Sequence, residues 1–154
     1  MSDGGSKVMD RAAVTEVLRT VPLFQALRAG DLRHLAGLAS VRSYKAGGVI
    51  VKQDDTAVAL YCVLSGGVRI ERQRPDGEGQ VTLAELGPGG FFGEMALLDD
   101  FPRSASAVAT APTQCALISK WDFRKELKAH PEIGLALLRV LSRRVRTLDE
   151  QIAL

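Results

Sequence analysis

The chain has 154 residues, 46% of them apolar, which suffices for one domain with a real core and little more. Its 20 basic and 18 acidic residues leave a formal net charge of +2, so charge alone argues for neither a nucleic-acid nor a membrane partner. The longest apolar runs, such as AVALYCVL, are too short to cross a bilayer, and the start MSDGGSKVMDR lacks the basic-then-apolar order of a secretion signal. A soluble, cytoplasmic protein is the expectation.

Residues 1–7 are small and polar and read as a disordered tail; residues 8–154 read as a single domain. From Asp10 to about Leu27 the pattern is helical, broken near Pro22. Asp31 follows Gly30 and is expected to cap a second short helix with Leu32, Leu35 and Leu38 on one side. From Val41 to Ser119 the pattern changes to short β-type runs: VRSY, GVIVKQ, ALYCVLSG, GVRIERQR, QVTLAEL, SASAVATA and QCALIS. KAGG, LSGG, PDGEG and LGPGG punctuate them as turns, and RQRPDGEGQV reads as an exposed hairpin tip. Strands at this spacing suggest a barrel, sandwich or roll rather than alternating β-α units.

Ser119 and Asp122 fit a capping arrangement for KWDFRKELKAH, and Pro131 sits where a new helix can begin. In residues 131–154, Leu138, Leu141, Val145, Leu148 and Ile152 recur at spacings of three and four. Such a stripe packs on a partner helix or on its own domain, and the sequence leaves both open. The expected fold is therefore α+β: an antiparallel, jelly-roll-like β-roll with helices before it and a long helix after it. Cys62 and Cys115 lie in apolar strand-like stretches and read as buried small hydrophobes. With no CxxC pair, and with His34 and His130 isolated, no metal site is expected.

The segment GFFGEMALLDDFPRSASA (residues 90–107) has apolar flanks but sets Glu94 and Arg103 nine residues apart around a short helix-forming run. Gly87, Gly89, Gly90 and Gly93 allow tight turns and a close approach of backbone to a ligand. The first amides of a helix over EMALLDD would face an anion. A guanidinium at Arg103 can fork onto two phosphate oxygens, with the Ser104 hydroxyl beside it. Glu94 would repel a phosphate, yet it suits a ribose hydroxyl that needs an acceptor. A small cyclic sugar phosphate satisfies all three groups; a triphosphate does not, because no P-loop Lys-Ser/Thr follows the glycines. The bland alternative is that Glu94 and Arg103 pair with each other or with Asp99 and Asp100, contributing under about 1 kcal/mol. On the residues alone both readings stand.

FFGEMALLDDFPRSASA resembles the phosphate-binding cassette of the cyclic nucleotide-binding domains found in catabolite activator protein, protein kinase A regulatory subunits and cyclic-nucleotide-gated channels. PLFQAL, YKAGGVIVKQDD, LYCVLSGGVRI and LGPGGFFGE match upstream in the family's order, so the resemblance spans about residues 20–150. It implies that Glu94 accepts the ribose 2′-hydroxyl and Arg103 neutralises the cyclic phosphate. Ser104, with the backbone near Phe92, Gly93, Met95, Ala96 and Ala105, would complete the cradle, and Ile70, Leu83 and Leu148 would wall the sugar and base. Asp149 would accept from the base, or else stand in solvent. Arg143, Arg144 and Arg146 would stack on the base or decorate the solvent face, the latter being the favoured reading. Residues 131–154 would form the lid and a dimer seam.

One departure stands out: Asp54 in KQDD occupies a position where many members carry glycine, so that turn is expected to differ from theirs. The implied ligand is cAMP, with cGMP the alternative, and no other cofactor, no membrane and no nucleic-acid contact by this stretch. No catalytic constellation is visible, so a sensor rather than an enzyme is expected. A second possibility is the sensor half of a catabolite activator-like transcription factor whose helix-turn-helix lies beyond Leu154.

Overall fold

The computed structural model describes residues 7–153. The expected tail thus lies outside the described residues except for Lys7, whose carbonyl accepts a hydrogen bond from Gln114 Nε2 at 2.8 Å. Helix α1 (Arg11–Leu18) starts at Asp10, whose carboxylate accepts from the Ala13 amide at 2.9 Å. A 3-10 turn (Pro22–Phe24) follows where Pro22 interrupts the pattern. Helix α2 (Ala29–Leu38) begins earlier than expected, because the Leu32 amide already bonds the Arg28 carbonyl. Asp31 therefore sits inside the first turn rather than at the cap, with its carboxylate at the positive end of the helix dipole.

Eight strands then build two four-stranded antiparallel sheets. They are β1 (Ser40–Tyr44), β2 (Val49–Val51), β3 (Ala59–Ser65), β4 (Val68–Gln73), β5 (Gln80–Leu86), β6 (Phe91–Phe92), β7 (Ser106–Ala109) and β8 (Thr113–Ser119). One sheet runs β1-β8-β3-β6 and the other β2-β7-β4-β5. The seven β-type runs in the sequence all appear; β6, only two residues long, is too short to carry a periodic signal. The expected α+β roll with flanking helices is the observed fold.

Strand β3 explains how the layers join. Leu60, Cys62 and Leu64 face the helical side, where Leu18, Phe24, Leu35, Phe123 and Ile133 complete one core. Alternate residues Ala59, Tyr61 and Val63 face the roll interior with Val68, Phe92, Ala107 and Leu117. A strand buried on both faces must read as a continuous apolar run, which is why ALYCVL shows no alternation. At about 25 cal/mol per Å² of apolar area, such a strand anchors both cores at once.

Helix α3 (Glu94–Asp99) leaves the roll between β6 and β7. Helix α4 (Lys120–Ala129) is capped by Ser119, whose hydroxyl accepts from the Asp122 amide at 3.1 Å, and α5 (Pro131–Ala153) starts at the proline. Both readings of the caps hold. Ile133 and Leu137 of α5 are buried, Leu141 packs against the same core, and Leu138, Val145, Leu148 and Ile152 remain exposed. The stripe therefore divides between the domain's own core and solvent.

Candidate functional site

A cavity of about 690 Å³ opens between the roll, α3 and α5. That is a common size for a small-molecule site. The polypeptide reaches it through a constrained turn. Gly93, the residue before α3, has φ +91°, and a Cβ added there would lie 2.1 Å from Arg103 Nη1. Only glycine fits both the backbone and the space. The Glu94 carboxylate that follows is carried inward and is 3% exposed.

Arg103 is delivered to the same place by a second device. Its amide donates to the Asp55 carbonyl and its carbonyl accepts from the Asp54 amide, both at 2.8 Å. Asp54 holds φ +73°, so this residue adopts the left-handed conformation that glycine ordinarily supplies. The departure at Asp54 thus leaves a tight turn that clamps the arginine backbone. Arg103 is 5% exposed, and its guanidinium packs 5.4 Å from the centroid of the Tyr61 ring, itself stacked on Phe92. Nη2 donates to the Ala59 carbonyl at 2.9 Å. Nη1 is buried with no hydrogen-bond partner among the described residues. Burial pulls the guanidinium below its ordinary value, while Tyr61, Glu94 and Asp55 act in the opposite direction. A buried cationic donor left open beside a cavity is ready to receive an anion's oxygen.

Of the expected site residues, Ile70, Leu83, Phe92, Gly93, Glu94, Met95, Arg103, Ser104, Ala105 and Leu148 all line this cavity. Ala96 lies within α3. Asp149 does not join them: it is exposed and outside the lining, because its neighbour Leu148 takes the inward side of α5 there. The arginines of α5 divide. Arg146 is exposed and away from the cavity, as expected, but Arg143 and Arg144 line it, and Arg144 Nη1 ion-pairs with Glu94 Oε1. Arg143 and Arg144 thus take the pocket side of the two readings rather than the favoured solvent face, since a long side chain at a half-exposed helix position reaches back over the pocket. Thr147 and Gln151 also line it, one turn apart with Arg143 and Arg144 preceding them. With Arg144 they stand at i, i+3 and i+7, and that spacing was the available signal.

Residues 41–130 match the cyclic nucleotide-binding domain family. The chain is 38% identical over 133 residues to the cyclic AMP receptor protein of Thermus thermophilus, covering 86% of this chain and 61% of that protein. It is 29% identical over 138 residues to a CRP-like cAMP-activated global transcriptional regulator of Mycobacterium tuberculosis, with 90% and 61% covered. The crystal structure of Thermus thermophilus catabolite activator protein superposes with a TM-score of 0.80 at 38% identity, over 86% of this chain and 62% of that one. The chain therefore spans about three fifths of the length of these relatives. With the family match covering most of the chain and the fold shared, the chain belongs to the cyclic nucleotide-binding domain family.

Proposed function

We propose that this chain is a cAMP sensor that reports occupancy through α5. The observation that carries the reading is Arg103 Nη1, a buried donor without a partner among the described residues, at the edge of a cavity that also holds a buried carboxylate. The pair matches the two polar ends of a cyclic nucleotide. Arg103, with the exposed Ser104 hydroxyl beside it, takes the cyclic phosphate. Glu94 accepts the ribose 2′-hydroxyl. Phe92, Gly93, Met95, Ala96 and Ala105 contribute backbone around them. Ile70, Leu83 and Leu148 supply apolar walls for sugar and base, and Thr147 and Gln151 add polar groups on the lid side.

The relatives' names, a cyclic AMP receptor and a cAMP-activated regulator, support adenine over guanine. Calorimetric titration with both nucleotides tests the choice. A lower dissociation constant for cAMP is expected, and one for cGMP tenfold below that for cAMP would overturn it. The chemistry needed is recognition rather than turnover, so incubation with cAMP should yield no AMP.

Because α5 meets the ligand cavity through Arg143, Arg144, Thr147 and Leu148, a bound nucleotide biases its position, shifting a population between two packings. The exposed Leu138, Val145 and Ile152 on the same helix support a second copy of the chain as the α5 partner. A sensor portion of a transcription regulator is the second reading, favoured by the likeness to the Mycobacterium tuberculosis protein. The two buried, unpaired thiols suit a reducing, cytoplasmic location.

A further inference from the structure

Helix α3 is six residues long, too short to hold its shape by its own hydrogen bonds. Its geometry is set by what grips its two ends. Glu94 stands at its start. Asp99 and Asp100 stand at its finish, two acids at the negative end of the helix dipole. Asp100 also takes φ +62°, a left-handed conformation for a non-glycine residue. Charge and backbone both oppose this ending, so a group from elsewhere has to offset them.

That group lies on α4. Arg124 Nε donates to the Leu97 carbonyl at 2.8 Å, and its Nη2 donates to Asp100 Oδ1 at 3.0 Å. One planar guanidinium thus satisfies a helix-end carbonyl and neutralises the acid beside it, a task a lysine's point charge does not match. Lys120, one turn earlier on α4, ion-pairs with the same carboxylate. Hydrogen bonds from Lys120 and then Arg124 hold the Asp100 carboxyl below its ordinary range. Beneath this polar clamp Leu97 is fully buried, in a core shared with Phe123 of α4 and with Ile133 and Leu137 of α5.

We propose that Arg124 is a positioning residue of the nucleotide site: by fixing the far end of α3 it sets where Glu94 stands at the near end, and it ties α4 to the site's occupancy. A six-residue helix is about 9 Å long, so loosening one end tilts the carboxylate at the other. The inference rests on the nucleotide reading above for its ligand.

The test titrates the full chain, wild type and Arg124→Gln, with cAMP and with 2′-deoxy-cAMP. Arg124→Gln weakens cAMP binding about fivefold to tenfold, the scale of couplings carried through packed elements. The loss for 2′-deoxy-cAMP stays below about twofold, because that ligand has no hydroxyl for Glu94 to accept. A generally loosened domain would lose affinity for both alike, so equal losses, or none, overturn the proposal. Asp100→Asn removes the carboxylate charge that Arg124 and Lys120 neutralise, at an exposed position, and it serves with the same expected pattern if Arg124→Gln fails to fold. Hydrogen exchange of the ligand-free chain gives a readout that needs no nucleotide: amides 95–99 exchange faster in Arg124→Gln while those of β3 and β8 do not. Unchanged exchange overturns the role of Arg124; a wild-type chain that binds no cAMP overturns the nucleotide reading instead.

Discussion

Arg144 of α5 ion-pairs with the buried carboxylate of Glu94, fifty residues earlier in the chain. The acid that the ligand's ribose would engage is therefore already held by the helix that would report binding. Glu94 is 3% exposed, whereas the Arg144 side chain remains 46% exposed. Arg144 can move toward water at little cost; Glu94 cannot. On the proposed reading, ligand entry and α5 position are coupled through this one carboxylate.

Removing the arginine strands a buried charge. Arg144→Met is expected to lower the unfolding free energy by about 1–2 kcal/mol, between the values for exposed and fully buried pairs. Amide exchange along α5 should rise with it. Glu94→Gln, which removes the charge from the buried side, should cost less. Urea titrations of the two variants check the order, and a larger loss for Glu94→Gln would refute the explanation.

Gly93 has no substitute. Gly93→Ala forces a side chain into a left-handed backbone and drives its Cβ to 2.1 Å from Arg103 Nη1. Backbone strain alone costs roughly 1–2 kcal/mol, and displacement of the guanidinium adds a loss of nucleotide affinity. Thermal unfolding and cAMP titration of the variant should both respond. Loss of stability with unchanged affinity would mean that the guanidinium is not a ligand contact.

The thiols offer a check on the fold itself. Cys62 and Cys115 are fully buried on opposite faces of the shared sheet. Burial pushes the Cys115 thiol up to about 12 and raises that of Cys62 further, aided by Cys115 and Glu94. The thiolate is the reactive form, so neither cysteine should react with a disulfide reagent at pH 8 until the chain is denatured. Reaction of either thiol in the native state would contradict the packing around β3.

Much of this was legible in the residues, for physical reasons that differ from place to place. The strands showed because turn residues bracket each run, and the cassette showed because glycines, an acid and an arginine stand together in a segment otherwise apolar. The start of α2 did not show, since Arg28 offers no side-chain cap to mark it. Nor did the conformation of Asp54, which a sequence cannot assign when aspartate replaces the glycine that φ +73° prefers. Arg144 was not singled out, for a deeper reason. Its role depends on how α5 leans over the roll, a tertiary relationship, and among Arg143, Arg144 and Arg146 the sequence offers identical side chains. Asp149 failed for the converse reason, as a helix turns by about 100° per residue and Leu148 had already taken the inward direction.

The most direct measurement is equilibrium dialysis of labelled cAMP against the wild-type chain and Arg103→Ala. The account predicts saturation at one nucleotide per chain, and a loss of about 2–5 kcal/mol of binding free energy in the variant, as for removal of one partner of a desolvated charge pair. The variant should stay folded, because the group removed is a buried cation with one nitrogen unsatisfied. No retention by the wild type at millimolar cAMP, or equal retention by both proteins, would contradict it.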